Sequence, residues 1–185
     1  DIRSNKRCFP NSIPIAWLPR KKETLHAPMH RFAMLIAARN EEAVIGKLID
    51  SIKAQSYPGR LVKIFVAADN CTDATAEAAR SHGAEVYERY DMTRRGKGYA
   101  LDFLLREIKL RGYSRFDGYI VLDADNVLDR DFILHMNETF SAGHDIVTCY
   151  RSSKNYGDNW ISAGYALWFL RESRYLNNAR ARLGS

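Results

Sequence analysis

An α/β domain built on a mostly parallel sheet is predicted by three features of this sequence. Short apolar runs rich in β-branched and aromatic residues begin at Arg31, segments of helical period alternate with them, and a polar cluster follows almost every run. The first run, "RFAMLIAA", is read as a strand. After "RNEE", the residues Val44, Ile45, Leu48, Ile49 and Ile52 recur as one helical face until "YPG" stops it. The second strand, "LVKIFVAA", ends at Asp69. "NCTDATAEAARSHG" then reads as an alanine-rich helix with Thr72 or Asp73 as its cap and Gly83 as its terminator. "AEVYER" is the third strand, and "RRGKGYALDFLLREIKLRG" is a glycine-rich loop leading into a helix. "GYIVL" is the fourth strand, with the acidic stretch "DADN" at its carboxyl end. A helix around Asp131 to Ala142, a fifth strand "DIVTCY" and a long amphipathic helix from about Trp160 to Arg182 complete the expected series.

The organisation expected is a basic, proline-rich segment over 1–30, the α/β domain over 31–158 and the amphipathic helix over 159–185. Four of the five prolines (Pro10, Pro14, Pro19, Pro28) fall in the first segment, which argues for extended or irregular chain there. A composition of 46% hydrophobic and 27% charged residues excludes disordered and collagen-like classes. The longest apolar run is seven residues, Phe32 to Ala38, far below the roughly 20 that a spanning helix needs. No secretory leader pattern opens the sequence. Cys8, Cys71 and Cys149 are few and scattered, which fits reduced thiols in a cytosolic setting.

The net charge of +6 is unevenly placed. Residues 1–31 hold seven Lys/Arg against two acids, residues 159–185 four against one, and the middle seventeen against nineteen. Basic ends flanking a near-neutral middle do not make the single basic face of a nucleic-acid binder. They suit anionic phospholipid headgroups, or simply a solvated surface.

Open α/β sheets bind ligands at the carboxyl ends of their strands. The clusters there are "ARNEE" after strand one, "ADNCTD" after strand two, "RRGKG" before the third helix and "DADN" after strand four. Singly, each is an ordinary helix start or turn, because Asp, Asn and Gly populate such positions. Together, in this order, they form a constellation.

With those motifs, residues 31 to about 155 resemble the nucleotide-sugar-binding half of a family 2 glycosyltransferase of the inverting, GT-A type. That family ends its first strand in Pro-x-Tyr/Arg-Asn-Glu, its second in Asp-Asp-x-Ser-x-Asp and its fourth in Asp-x-Asp. The matching residues are Ala37-Ala38-Arg39-Asn40-Glu41, Ala68-Asp69-Asn70-Cys71-Thr72-Asp73 and Asp123-Ala124-Asp125. Ala37 stands where the family has proline, and Ala68 where it has the first acid of the second motif. The resemblance implies that Asp69 hydrogen-bonds the imide of a uracil base and that Ala37, Ala38, Arg39 and Glu41 wall the nucleoside pocket. It places Lys97 near the diphosphate, makes Asp125 a ligand of Mn²⁺ or Mg²⁺, and puts Asp123 and Ala124 in the nucleotide site, where Asp123 reaches the ribose or the metal's second shell. Hard cations of this kind take oxygen ligands, commonly one or two carboxylates completed by substrate phosphates.

The activity implied is transfer of a sugar from a nucleotide diphosphate donor, a UDP-sugar, to a hydroxyl of a glycan or lipid-linked acceptor, with inversion and metal assistance. No catalytic base is assigned. The resemblance puts it in the second half of the domain, and Asp158 and Glu172, the acids after the fifth strand, have no matching context. The expected location is the cytoplasmic side of a bacterial membrane, or the cytoplasm. Three alternatives stay open on sequence: a haloacid-dehalogenase-like phosphatase, which carries Asp-x-Asp on its first strand; a nucleotidyltransferase, which needs a glycine-rich turn where "ARNEE" stands; and a non-catalytic nucleotide-sugar-binding module.

Overall fold

The structure, a computed structural model, describes residues 27–113 and 115–149. They hold four strands and four α-helices in alternation, with one short 3-10 helix (Gly59–Leu61) before the second strand: β1 (Phe32–Ala38), α1 (Glu42–Lys53), β2 (Val62–Asp69), α2 (Thr75–Ser81), β3 (Glu85–Arg89), α3 (Lys97–Leu110), β4 (Gly118–Asp123) and α4 (Phe132–Ser141). The strands pair in the order β3-β2-β1-β4, every pair parallel. This is the α/β architecture the alternation predicts.

The central strands are apolar along nearly their whole length because both of their faces are covered. On one face Phe32, Met34 and Ile36 of β1 meet Ile64 and Val66 of β2, Ile120 and Leu122 of β4, and the buried stripe Ile45, Leu48, Ile49 and Ile52 of α1. On the other, Ala33, Leu35, Phe65, Ala67 and Tyr87 meet Ala100, Leu104 and Ile108 of α3. Each fully buried Leu, Ile or Phe side chain contributes roughly 1.5–3 kcal/mol of transfer free energy. The two helical stripes therefore hold the sheet between them.

The strand order reverses direction once. The chain steps from β1 to β2 to β3 on one side, then crosses back under α3 to place β4 on the other side of β1. The carboxyl ends of β1 and β4 thus flank the topological switch point, where neighbouring crossovers diverge and leave a crevice.

Turn chemistry fixes the helix ends. Gly83, at φ +86°, closes α2: its N–H donates to the Arg80 carbonyl at 2.8 Å and the Ala84 N–H to the Ala79 carbonyl at 3.1 Å, the paired bonds of a Schellman motif. Gly118 opens β4 for a packing reason, since a Cβ there would stand 2.8 Å from Cε1 of Phe32 in the core. Asn137 of α4 is buried but satisfied. Its Oδ1 accepts from the His30 N–H and the Tyr57 hydroxyl, and its Nδ2 donates to the Pro28 carbonyl, tying α4 to the segment that enters β1.

Three local expectations need correction. The start of α2 is capped neither by Thr72 nor at Asp73: the N-cap position is Ala74, and the Asp73 carboxylate reaches past it to the Thr75 N–H at 3.1 Å. The first helix ends at Lys53, before "YPG", with the Ala54 N–H closing its last turn on the Asp50 carbonyl. Residues 145–149 of the expected "DIVTCY" are not in a strand. The compact unit that holds the sheet runs from Leu25 to Asp145. The expected helix over 160–182 and all but residues 27–30 of the proline-rich segment lie outside the described residues.

Candidate functional site

Strand register decides which predicted residues share a surface. Ala37 of β1 is registered with Ala67 of β2 on one side and Asp123 of β4 on the other, while Asp69 and Arg89 are registered partners on β2 and β3. Side chains alternate along a strand. Ala37, Asp69, Arg89 and Asp123 therefore fall in phase with Leu35, Phe65, Tyr87 and Val121, on the α3 face of the sheet at its carboxyl edge. Asp69 and Asp123 lie two strand spacings and two residues apart, about 12 Å between Cα atoms. That is the scale of a nucleoside diphosphate laid across the edge from base to phosphates. Ala37 lies between them, and its small side chain leaves the middle of the edge low.

The loops after β1 and β2 are latched to each other. Asn40 and Asn70 both adopt left-handed backbone, at φ 56° and 52°, where Asn is tolerated better than most residues. Asn40 Oδ1 accepts the Thr72 N–H at 2.8 Å, and the Glu41 N–H donates to the buried Thr75 hydroxyl at 2.8 Å. Glu42 and Asp73 exchange helix starts. The Glu42 carboxylate accepts the Ala74 N–H at the head of α2, and the Asp73 carboxylate accepts the Glu42 N–H at the head of α1. The Thr75 hydroxyl bonded to Asp73 is the main cause that holds the Asp73 carboxyl below the ordinary value. Of the predicted pocket wall, Ala38 is buried, Ala37 and Glu41 are half-buried and Arg39 is exposed.

Asp69 is 4% exposed and already engaged. Arg89 Nη1 donates to its Oδ1 at 2.6 Å, and Asn70 Nδ2 donates to the same oxygen at 3.1 Å. Oδ2 is the carboxylate oxygen these two bonds do not use. Arg89, itself buried, also donates from Nη2 to Asp91 Oδ2 at 3.0 Å and to the Arg94 carbonyl at 2.7 Å. Asp91 caps its own loop through the Thr93 hydroxyl, the Thr93 N–H and the Arg94 N–H. Those bonds, the Thr93 hydroxyl first, hold the Asp91 carboxyl down at about 2. A depressed carboxyl contributes its loop order in full above the ordinary carboxylate value and loses it only as pH falls through about 2.

At the β4 end, Lys97, the first residue of α3, forms an ion pair with Asp123. Both side chains are more than a third exposed, so the pair is a weak surface contact worth at most about 1 kcal/mol, easily exchanged. Gly96 is the N-cap of α3 and supplies no side-chain bond. The helix start therefore offers backbone N–H groups and the positive end of its dipole beside Lys97. Ala124 is buried and Asp125 is exposed at the turn that follows, where the Asn126 N–H closes on the Asp123 carbonyl at 3.1 Å. A pair of carboxylates suits a hard cation that takes its remaining oxygens from phosphate and water. No group of three or more His, Cys, Asp or Glu able to hold a metal occurs among the described residues.

Register thus unites Ala37, Asp69 and Asp123, the ion pair brings Lys97 to Asp123, and Ala38, Ala124 and Asp125 adjoin. Arg89, Asp91 and Asn70 join the site from the structure, with no role assigned to them by the motifs. Of these only Asn70 carries a signal in sequence, directly after the Ala68-Asp69 strand end where the chain must turn. A separate cleft of about 660 Å³ opens at the amino-terminal end of β2 and β3, lined by Lys53, Lys63, Gly83 and Glu85 among others. It is remote from the strand ends that carry the polar constellation.

Known proteins share both sequence and fold with this chain. Beta-monoglucosyldiacylglycerol synthase of Synechocystis is 29% identical over 117 residues, 62% of this chain and 24% of that protein. The 4,4'-diaponeurosporenoate glycosyltransferase of Staphylococcus aureus is 43% identical over 79 residues, 43% of this chain and 20% of that enzyme. The chain therefore spans about a quarter or less of the length of these curated relatives. Among solved structures, the mannosyltransferase PcManGT from Pyrobaculum calidifontis, in complex with GDP-Man and Mn²⁺, superposes with a TM-score of 0.55 at 21% identity, covering 77% of this chain and 42% of that one. That likeness shows the fold, a GT-A type sheet. The described residues contain no helix long and apolar enough to cross a membrane. Residues 29–183 match the family described as glycosyltransferase like family 2, and the chain belongs to that family.

Proposed function

We propose that this domain binds a nucleotide-sugar donor, a UDP-sugar, and serves its metal-assisted, inverting transfer to an acceptor hydroxyl. The observation that carries the reading is the placement of Asp69, Ala37 and Asp123 on one face of one sheet edge, with the start of α3 beside them. In this reading Asp69 offers Oδ2 to the N–H of the uracil imide, and the latched loops after β1 and β2 wall the nucleoside. Lys97 leaves Asp123 for the diphosphate, where its ammonium and the free N–H groups of α3 face the same charge. Asp125, with Asp123, would hold Mn²⁺ or Mg²⁺, whose chemistry there is to neutralise the charge gathering on the departing nucleotide. Family membership sets aside the phosphatase and nucleotidyltransferase alternatives.

The base assignment is tested by calorimetry in Mn²⁺. UDP is expected to bind at least about tenfold more tightly than ADP, because adenine presents an acceptor nitrogen where uracil presents an N–H. Equal affinities would remove Asp69 from the base pocket.

One curated relative is named as the synthase of a glucosylated diacylglycerol and the other as a glycosyltransferase of a diaponeurosporenoate, and these names support a lipid acceptor. The basic ends of the sequence support work at the cytoplasmic surface of a membrane. Co-sedimentation with vesicles should be stronger with anionic than with neutral lipid and should weaken as salt rises. Equal binding to both vesicle types counts against it.

A further inference from the structure

The most costly feature of the site is a buried cation that the transfer chemistry does not call for. Arg89 is 8% exposed, and its guanidinium is spread over three acceptors on two segments: Asp69 Oδ1 on β2, then Asp91 Oδ2 and the Arg94 carbonyl on the loop that leads into α3. Burying an ion pair is a poor way to gain stability, since desolvation consumes most of the attraction and a well-packed apolar pair often does as well. What such a pair does supply is fixed geometry. A guanidinium is planar with donors in a rigid fork, so two contacts on one side set the direction of the third.

We propose that Arg89 is a positioning residue for base recognition, orienting the Asp69 carboxylate so that Oδ2 alone meets the base edge. The inference rests on the reading of Asp69 as the base-binding acid and goes beyond it. Arg89 Nη1 and Asn70 Nδ2 both load Oδ1, which removes rotational choice from the carboxylate. The same two residues hold the loop. The Asn70 N–H donates to the Arg89 carbonyl at 2.7 Å, Asn70 Oδ1 accepts the Asp91 N–H at 2.9 Å, and Asn70 Nδ2 donates to the Asp91 carbonyl at 3.2 Å. The nucleoside end and the phosphate end of the site are thus joined through one arginine and one asparagine. An acceptor-only oxygen held in one direction selects bases that present an N–H there, as uracil does, over those that present a lone pair.

The test measures UDP and ADP affinities by calorimetry in Mn²⁺ for the wild type, Arg89→Met, Arg89→Lys, Asp69→Asn and the Arg89→Met/Asp69→Asn double variant, with circular dichroism to confirm folding. Arg89→Met is expected to weaken UDP about tenfold and to bring the UDP-over-ADP ratio close to one, while ADP binding barely changes. A purely structural residue would weaken both nucleotides together. Arg89→Lys keeps the charge on Asp69 but not the fork, and should recover part of the preference. The double variant lacks both charges, so it remains informative even where Arg89→Met alone fails to fold. It should bind UDP as Asp69→Asn does, because the arginine acts only through the acid. Wild-type preference in Arg89→Met, or a further loss of UDP affinity in the double variant beyond Asp69→Asn, overturns the proposal. A wild type that does not prefer UDP overturns the base reading and this inference with it, and so is told apart from failure of the arginine's role alone.

Discussion

Asp125→Asn is expected to abolish the metal dependence of UDP binding while leaving the fold intact. The variant keeps the size of the side chain and its fitness for a turn but removes one of the two carboxylates at the end of β4. Loss of an outer-shell partner alone typically costs 10–100-fold in metal affinity, and loss of a proposed ligand should cost at least that. Asp125 is exposed, so stability should shift by no more than about 0.5 kcal/mol. If the acids only shape the turn, Asn serves as well as Asp, since the two rank alike at such positions. Asp129→Asn is the matched control. It removes the same charge four residues on, and its Oδ1, which accepts the Asp131 N–H at 3.1 Å, is retained in Asn. UDP affinity is measured in Mn²⁺ and in EDTA for the three proteins. A metal-dependent, wild-type-like Asp125→Asn would refute the metal role.

The parts of this molecule that were legible in its sequence are those set by local pattern. β1 and β2 lie centrally in the described sheet and are covered on both faces, so burial leaves long apolar runs that cannot be read as anything else. α1 and α3 each bury one stripe at helical spacing, and the polar clusters mark the strand ends because strands stop being apolar where they leave the core. What escaped was non-local. The partner of Asp69 lies 20 residues away and meets it only because β3 is registered against β2. Nothing around "YERYD" distinguishes a buried arginine from a solvated one. The exchange between Glu42 and Asp73 was hidden for the same reason: each acid looks like the cap of its own helix, yet Glu42 serves its neighbour's and Asp73 serves both. The fifth strand shows the converse limit. "DIVTCY" has strand composition, but β-propensity is a preference for a pleated, half-buried surface and not an intrinsic property of the backbone, and residues 145–149 are not in a strand.

Asp69→Ala should destabilise the domain by about 3 kcal/mol, the largest stability loss expected from any change at the site. Removing one member of a buried ion pair leaves the other charged and short of a partner, which typically costs 3–5 kcal/mol. The lower end applies here because Asp91 and the Arg94 carbonyl still hold Nη2 of Arg89. Asp69→Asn leaves an amide oxygen where Oδ1 stood, so Arg89 and Asn70 keep an acceptor and the loss should be about 1 kcal/mol, that of a weakened hydrogen bond to a charged group. The two variants separate the two tasks of one carboxylate. Both lose the charged acceptor proposed to face the base and should lose the preference for UDP, but only Asp69→Ala strands the arginine. Urea titrations of the wild type and both variants, read beside their UDP affinities, check this. Equal stability of Asp69→Ala and wild type would mean that the Arg89 pair does not form in solution. A large loss in Asp69→Asn as well would mean that charge, not an acceptor in the right place, is what Arg89 requires from β2.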